Sequence, residues 1–150
     1  MRQVSKWQRA VATLAVIAGL IPAVPVAAAG GQDTGKLTVS AKYTGQGTVD
    51  ATHQIFVWVF DTPNISESTT PLAVDKVTTN GGSVNFTGLP KTVYLAAAYN
   101  EKGTYDGTQG PPPSGTPVTI YGGEGSATPV PTGGADAAVA ITFDDAMRMP

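Results

Sequence analysis

The chain has 150 residues, with 9 Lys and Arg against 11 Asp and Glu, a single histidine and no cysteine. The missing thiols exclude disulfides, zinc–thiolate sites and cysteine nucleophiles, and a formal charge of −2 with no basic cluster excludes a nucleic-acid or anionic-membrane binder. The length suits one domain that must hold itself by its core alone.

The first segment, MRQVSKWQR, carries Arg2, Lys6 and Arg9 and no acid, and an uncharged run from Ala10 to Ala29 follows it. This order is that of a secretory signal peptide spanning residues 1–29, with small residues at Ala27 and Ala29 and cleavage after Ala28 or Ala29. Pro22 and Pro25 weigh against reading the same run as a retained membrane anchor. The mature chain is expected to begin near Gly30, secreted or periplasmic, as one domain over 30–150 with a core of about 36–144. Cleavage removes three bases and no acid, so the mature charge is 6 − 11 = −5.

Beyond Lys36 the apolar residues recur with period two, which predicts strands throughout. In KLTVSAKY, Leu37, Val39, Ala41 and Tyr43 share one face. THQIFVWVF is apolar on both faces, Ile55, Val57 and Val59 opposing Phe56, Trp58 and Phe60, and so reads as a central strand covered on its outer side. LAVDKVTT and SVNFTG flank Asn80-Gly81-Gly82, a hairpin signal. TVYLAAAY places Val93, Leu95, Ala97 and Tyr99 on one face and the small Ala96 and Ala98 on the other. After the run YNEKGTYDGTQGPPPSG come a short strand, TPVTIY, a stretch read as a flexible loop, GGEGSATPVPTGGAD, and a last strand, DAAVAITF. About seven strands at short spacing predict an all-β, antiparallel two-sheet sandwich.

Within GGSVNFTGLPKTVYLAAAYNEKG, a glycine and an aromatic precede Gly-Leu-Pro and a Tyr-x-Leu-x-Ala strand follows, at Gly82, Phe86, Gly88, Leu89, Pro90, Tyr94, Leu95 and Ala97. Gly88 admits a backbone conformation that a side chain disfavours, and Pro90 pre-sets the turn. The stretch resembles the prealbumin-like, carboxypeptidase-regulatory-like sandwich domains, although Thr92 stands where those domains often have glycine. The resemblance implies a non-catalytic accessory module rather than an enzyme.

The chemistry the residues offer is sparse. His53, with Asp50 nearby, is the only base for a serine nucleophile, and no Gly-x-Ser-x-Gly elbow is present. Asp144 and Asp145 are adjacent in the tail, where alternation turns them apart, so they do not read as a glycosidase pair. In the prealbumin-like relatives, the strand before the proline-rich run often ends in a calcium-binding loop. The matching oxygens here are Asn100, Glu101 and Asp106, with carbonyls freed by Gly103 and Gly107, but Lys102 puts a cation at a ligand position. No cofactor is therefore expected, and the run reads chiefly as a connection stiffened by prolines 111 to 113. Two Asn-x-Ser/Thr matches, at Asn64 and Asn85, are read as incidental.

Phe56, Trp58, Phe60, Tyr94, Tyr105 and Tyr121 suit either an aromatic platform or, for Phe56 and Trp58, core beneath the long loop. Tyr105, in a polar loop, is the aromatic expected at the surface. The functional reading is an exported, non-catalytic interaction or structural module of the bacterial periplasm or cell envelope. It binds a protein or polysaccharide through the loops at one end of the sandwich, with Asn100, Tyr105 and Asp106 as contacts. A carbohydrate-binding module and a small hydrolase are the alternatives.

Overall fold

Eight strands and no helix appear in the computed structural model, which describes residues 35–123, 125–134 and 136–150, all within one compact unit, Gln32–Pro150. The expected signal peptide lies outside the described residues. The strands are β1 (Gly35–Tyr43), β2 (Ile55–Phe60), β3 (Ala73–Val77), β4 (Ser83–Leu89), β5 (Thr92–Tyr99), β6 (Val118–Ile120), β7 (Val130–Pro131) and β8 (Ala137–Phe143). They form the all-β two-sheet arrangement that the alternation predicts: one sheet in the order β4-β1-β8, the other β3-β2-β5-β6, with β7 paired to β5.

One pair departs from the antiparallel rule. β8 runs parallel to β1, from Leu37 opposite Ala137 to Tyr43 opposite Phe143. This register sets Val139, Ile141 and Phe143 on the same face as Val39, Ala41 and Tyr43, so one core is shared.

Two connections also differ from expectation. The Asn80-Gly81-Gly82 turn closes no hairpin, because β3 pairs with β2 while β4 pairs with β1; the turn crosses from one sheet to the other. Val77 and Val84 both point into the core, which places the two strands face to face across it. The Asn80 amide caps the end of β1 instead, accepting from Tyr43 N and donating to Tyr43 O, both at 2.8 Å. The stretch expected to be flexible near residue 130 is pinned. Val130 and Thr132 alternate inward around Pro131, both buried, and the Thr132 amide and hydroxyl donate to the carbonyls of Lys91 and Pro90.

The sheets meet in a core of Leu37, Val39, Ile55, Val57, Val59, Val93, Leu95 and their neighbours. Each such side chain contributes about 1.5–3 kcal/mol on burial, which stands in for the absent disulfides. Tyr43 and Tyr99 stack across the core with ring centroids 4.1 Å apart. A second apolar cluster lies on the outer face of the larger sheet: Phe56, Trp58, Phe60, Ala98 and Tyr105, with Ile65, Tyr94, Ala96 and Val118 packed against it.

Candidate functional site

That second cluster explains the long polar loop. β2 projects Phe56, Trp58 and Phe60 away from the main core, and the loop after β5 folds back to cover them. Asn100 starts the reversal. Its side chain is buried, donating to the carbonyls of Tyr105 (2.8 Å) and Thr52 (3.3 Å) and accepting from Tyr105 N (3.3 Å). Tyr105 then lies edge-on to Phe56, with centroids 5.2 Å apart, and its hydroxyl donates to Gly110 O. The surface exposure expected of Tyr105 is not met: it is 7% exposed, because its ring is the apolar roof of a polar loop. Burial, with Asp106 adding to it, pushes its phenol pKa up. Gly107 makes the close approach possible. Its φ of +84° lies in the left-handed region, and a Cβ there would stand 2.6 Å from the Phe56 ring.

The three oxygen donors considered for calcium are each engaged separately. Asn100 closes the loop as described, and Glu101 pairs with Arg148 at 2.9 Å. Asp106 accepts from the Thr108 amide and hydroxyl, both at 2.8 Å, and from Gln109 at 3.0 Å, which holds its carboxyl below the usual range. Among the described residues, no group of three His, Asp or Glu side chains comes together as a metal-ligand set.

His53 and Asp50 do meet, with Nδ1 3.1 Å from the carboxylate, in the turn before β2. Amide N–H groups of His53 and Thr52 also bind Asp50 and depress its pKa. Together these bonds brace the turn that leads into β2. The two tail acids separate as alternation predicts. Asp144 caps the Ala146 amide, whereas Asp145 accepts from the Tyr43 hydroxyl, from Gln46 N at 2.8 Å and from Arg148 at 2.8 Å. The first of these bonds is the main cause of its lowered pKa.

The aromatics do not form an open platform. Phe56, Trp58, Phe60 and Tyr105 are buried, Tyr94 is half-buried at the edge of their cluster, and Tyr121 packs against the main core. What the outer face presents is a cleft of about 660 Å³. Trp58, Phe60, Ala96 and Val118 form its floor. One wall is the loop from Ile65 to Pro71, another is the stretch from Gly107 to Pro112, and the third is the tail from Met147 to Pro150.

The tail is held in place as an extra strand-like segment. Val118 N donates to Met147 O, Met149 N to Thr116 O and Gly115 N to Met149 O, at 2.9–3.0 Å. Arg148 adds its bonds to Glu101, Asp145 and Gly115 O. The tail and the Ile65 loop are parts of the site that the sequence reading passed over. Their available signals were Ile65 isolated among polar residues and the alternation of Met147 and Met149.

No protein-family model matches the chain, and no curated protein matches it. Among solved structures it is similar to the pilus-presented adhesin Spy0125 (Cpa), at 15% identity and a TM-score of 0.35 over 78% of this chain and 27% of that one. A cysteine-to-alanine mutant of the same adhesin matches at 14% identity and a TM-score of 0.33, again over 78% of this chain and 28% of that one. The chain thus spans a little over a quarter of the length of the structures it matches.

Proposed function

We propose that this chain is an exported, non-catalytic recognition module of the cell envelope, built on a prealbumin-like sandwich, whose binding site is the cleft on the outer face of β2, β5 and β6. The observation that carries the reading is the cleft itself. Its volume falls in the range of about 300–1,000 Å³ typical of ligand sites, and its floor is apolar. The loop singled out by sequence contributes one wall, through Gly107 to Pro112, so loop and cleft belong to one site. Asn100, Tyr105 and Asp106 serve it by shaping that wall. Support for a non-catalytic role is that neither His53 nor Asp50 lines the cleft. The prealbumin-like reading draws support from Gly88, two residues after Phe86 near the end of β4, which takes a φ of +72° where the pairing with β1 shifts register.

The test fills the floor. Ala96 is half-buried on the outer face, and Ala96→Phe projects a ring into the cleft without touching the main core. Immobilised wild type and variant are incubated in parallel with the polysaccharide, protein and lipid fractions of a bacterial envelope. Retention of one fraction by the wild type, lost in a variant of unchanged Tm, is expected. Equal retention by both proteins, or no retention of any fraction, overturns the proposal.

A further inference from the structure

We infer that the cleft takes a neutral aliphatic chain, an alkyl alcohol or ester, in preference to a sugar, a peptide or a charged amphiphile. This rests on the cleft being the binding site and adds the chemistry of what enters it.

Several of the hydroxyls around the cleft are already committed, Thr70 and Thr119 being the exceptions among the described residues. On the Ile65 to Pro71 wall, Ser66 Oγ contacts Ser68 Oγ (3.0 Å) and Thr69 Oγ1 (2.9 Å), and Thr69 donates to Asn64 O. On the facing wall the Thr108 hydroxyl is bound to Asp106. A sugar or peptide carries several donors and acceptors that must be satisfied when water is stripped away. The floor of Trp58, Phe60, Ala96 and Val118 offers few partners for them. A peptide also lacks a free sheet edge here, because β5 is flanked by β2 and β6, and the segment leading into β6 is paired with the tail.

Charge argues in the same direction. The charged residues lining the cleft are Glu67 and Arg148, and Arg148 already faces the two carboxylates of Glu101 and Asp145. With three acids against one base, an anionic headgroup gains nothing. Glu67 is exposed, so its pull on a cation is screened by water and salt. An uncharged chain meets a matched environment instead: the aromatic edges of Trp58 and Phe60, a shallow floor at Ala96, and a wall of Met147 and Met149 whose unbranched side chains adapt to a flexible guest.

The experiment uses the full chain carrying Trp7→Phe, which leaves Trp58 as the only tryptophan and a direct reporter on the cleft floor. Decan-1-ol, decanoate and decylammonium are titrated at physiological salt and at a pH where both ions are fully charged, with acetyl-trileucine amide as the peptide probe. A saturable shift in Trp58 emission with decan-1-ol is expected. Binding should weaken at least about tenfold for each ion and for the peptide, and by at least about tenfold for decan-1-ol when Ala96→Phe is added.

No saturable response to decan-1-ol overturns the inference, as does binding of an ion or the peptide as tight as that of the alcohol. If the envelope retention of the wild type is still lost in Ala96→Phe, such a result removes the aliphatic ligand and leaves the cleft as the site. A response to decan-1-ol that Ala96→Phe does not change places the alcohol elsewhere and overturns the inference by itself.

Discussion

The two outer faces of the sandwich are built by opposite rules. On the β4-β1-β8 sheet the outward side chains are Lys36, Thr38, Ser40 and Lys42 from β1, Asn85 and Thr87 from β4, and Ala138, Ala140 and Thr142 from β8. They are polar or small, and the face needs no cover. On the larger sheet the outward side chains are Phe56, Trp58, Phe60, Tyr94, Ala96, Ala98, Val118 and Ile120, continued by Val74 and Lys76 on β3. That face is apolar along β2 and β6 and over most of β5, Lys76 and Thr92 marking its polar rim, and two loops and the tail are folded over it. The cleft is the part they leave open, so the roof and the binding site have one cause.

Substitutions on the two faces should therefore differ widely in effect. Phe56→Ala removes a ring that is only 2% exposed, between Trp58 and Tyr105, and should cost about 3–5 kcal/mol, measured by urea unfolding. Thr38→Ala, on the bare face, loses only an exposed bond to Asn85 and should stay within about 0.5 kcal/mol. Comparable losses at both positions would mean that the roofed face is not a second core.

The roof can be tested without touching its aromatics. Gly107 and Gly110 both have φ in the left-handed region, at +84° and +91°, but only Gly107 has the Phe56 ring where a Cβ would go; Gly110 faces open space. Gly107→Ala should thus cost about 1–3 kcal/mol more than Gly110→Ala. Asn100→Ala comes next. It strands the Tyr105 amide and carbonyl in a buried site, costs about 1–3 kcal/mol, and should shift Trp58 emission to the red as the roof loosens.

The contrast between the faces also explains how much could be read from the sequence. Alternation in KLTVSAKY and the doubly apolar IFVWVF gave the sandwich and the covered outer face, because burial leaves a period-two record along each strand. The long loop was legible as rigid and as a cover for Phe56 and Trp58, but the ring that does the covering was not. Tyr105 sits among polar neighbours, and only the fold brings it over Phe56, Gly107 being the nearest local hint. Partner choice was least legible. Asn80-Gly81-Gly82 has hairpin chemistry, yet the turn changes sheets because Val77 and Val84 both face inward and Asn80 binds β1 across a separation in sequence that no local pattern records. The cleft drew walls from three distant segments for the same reason.

The smallest effects concern the tail, where the roofed face ends. Asp145 is held below its unfolded value of 3.8, chiefly by the Tyr43 hydroxyl, so its contribution is complete above that pH and is lost as pH falls through the lower folded value. Tyr43 is shifted the other way, upward from 10.0, by burial and then by Asp145, so its contribution is complete below pH 10.0 and is lost as pH rises through the higher folded value. Tyr43→Phe keeps the stack on Tyr99 and should lessen the dependence of Tm on pH at both ends of this range, whereas the wild type loses Tm on both sides.

Arg148→Ala should barely move Tm, since its ion pairs to Glu101 and Asp145 are solvent-exposed and weakened by screening. Its effect should be local. The tail stays beside β6 through three backbone bonds, and without the Arg148 fork these open more often, so hydrogen exchange at the Val118 and Met149 amides should quicken while the β1 and β2 amides keep their wild-type rates. An Arg148→Ala protein whose β2 amides exchange faster as well would make the tail part of the cooperative core rather than an adjustable wall. The cleft would then be a rigid feature, and Met147 and Met149 could not adapt to a guest.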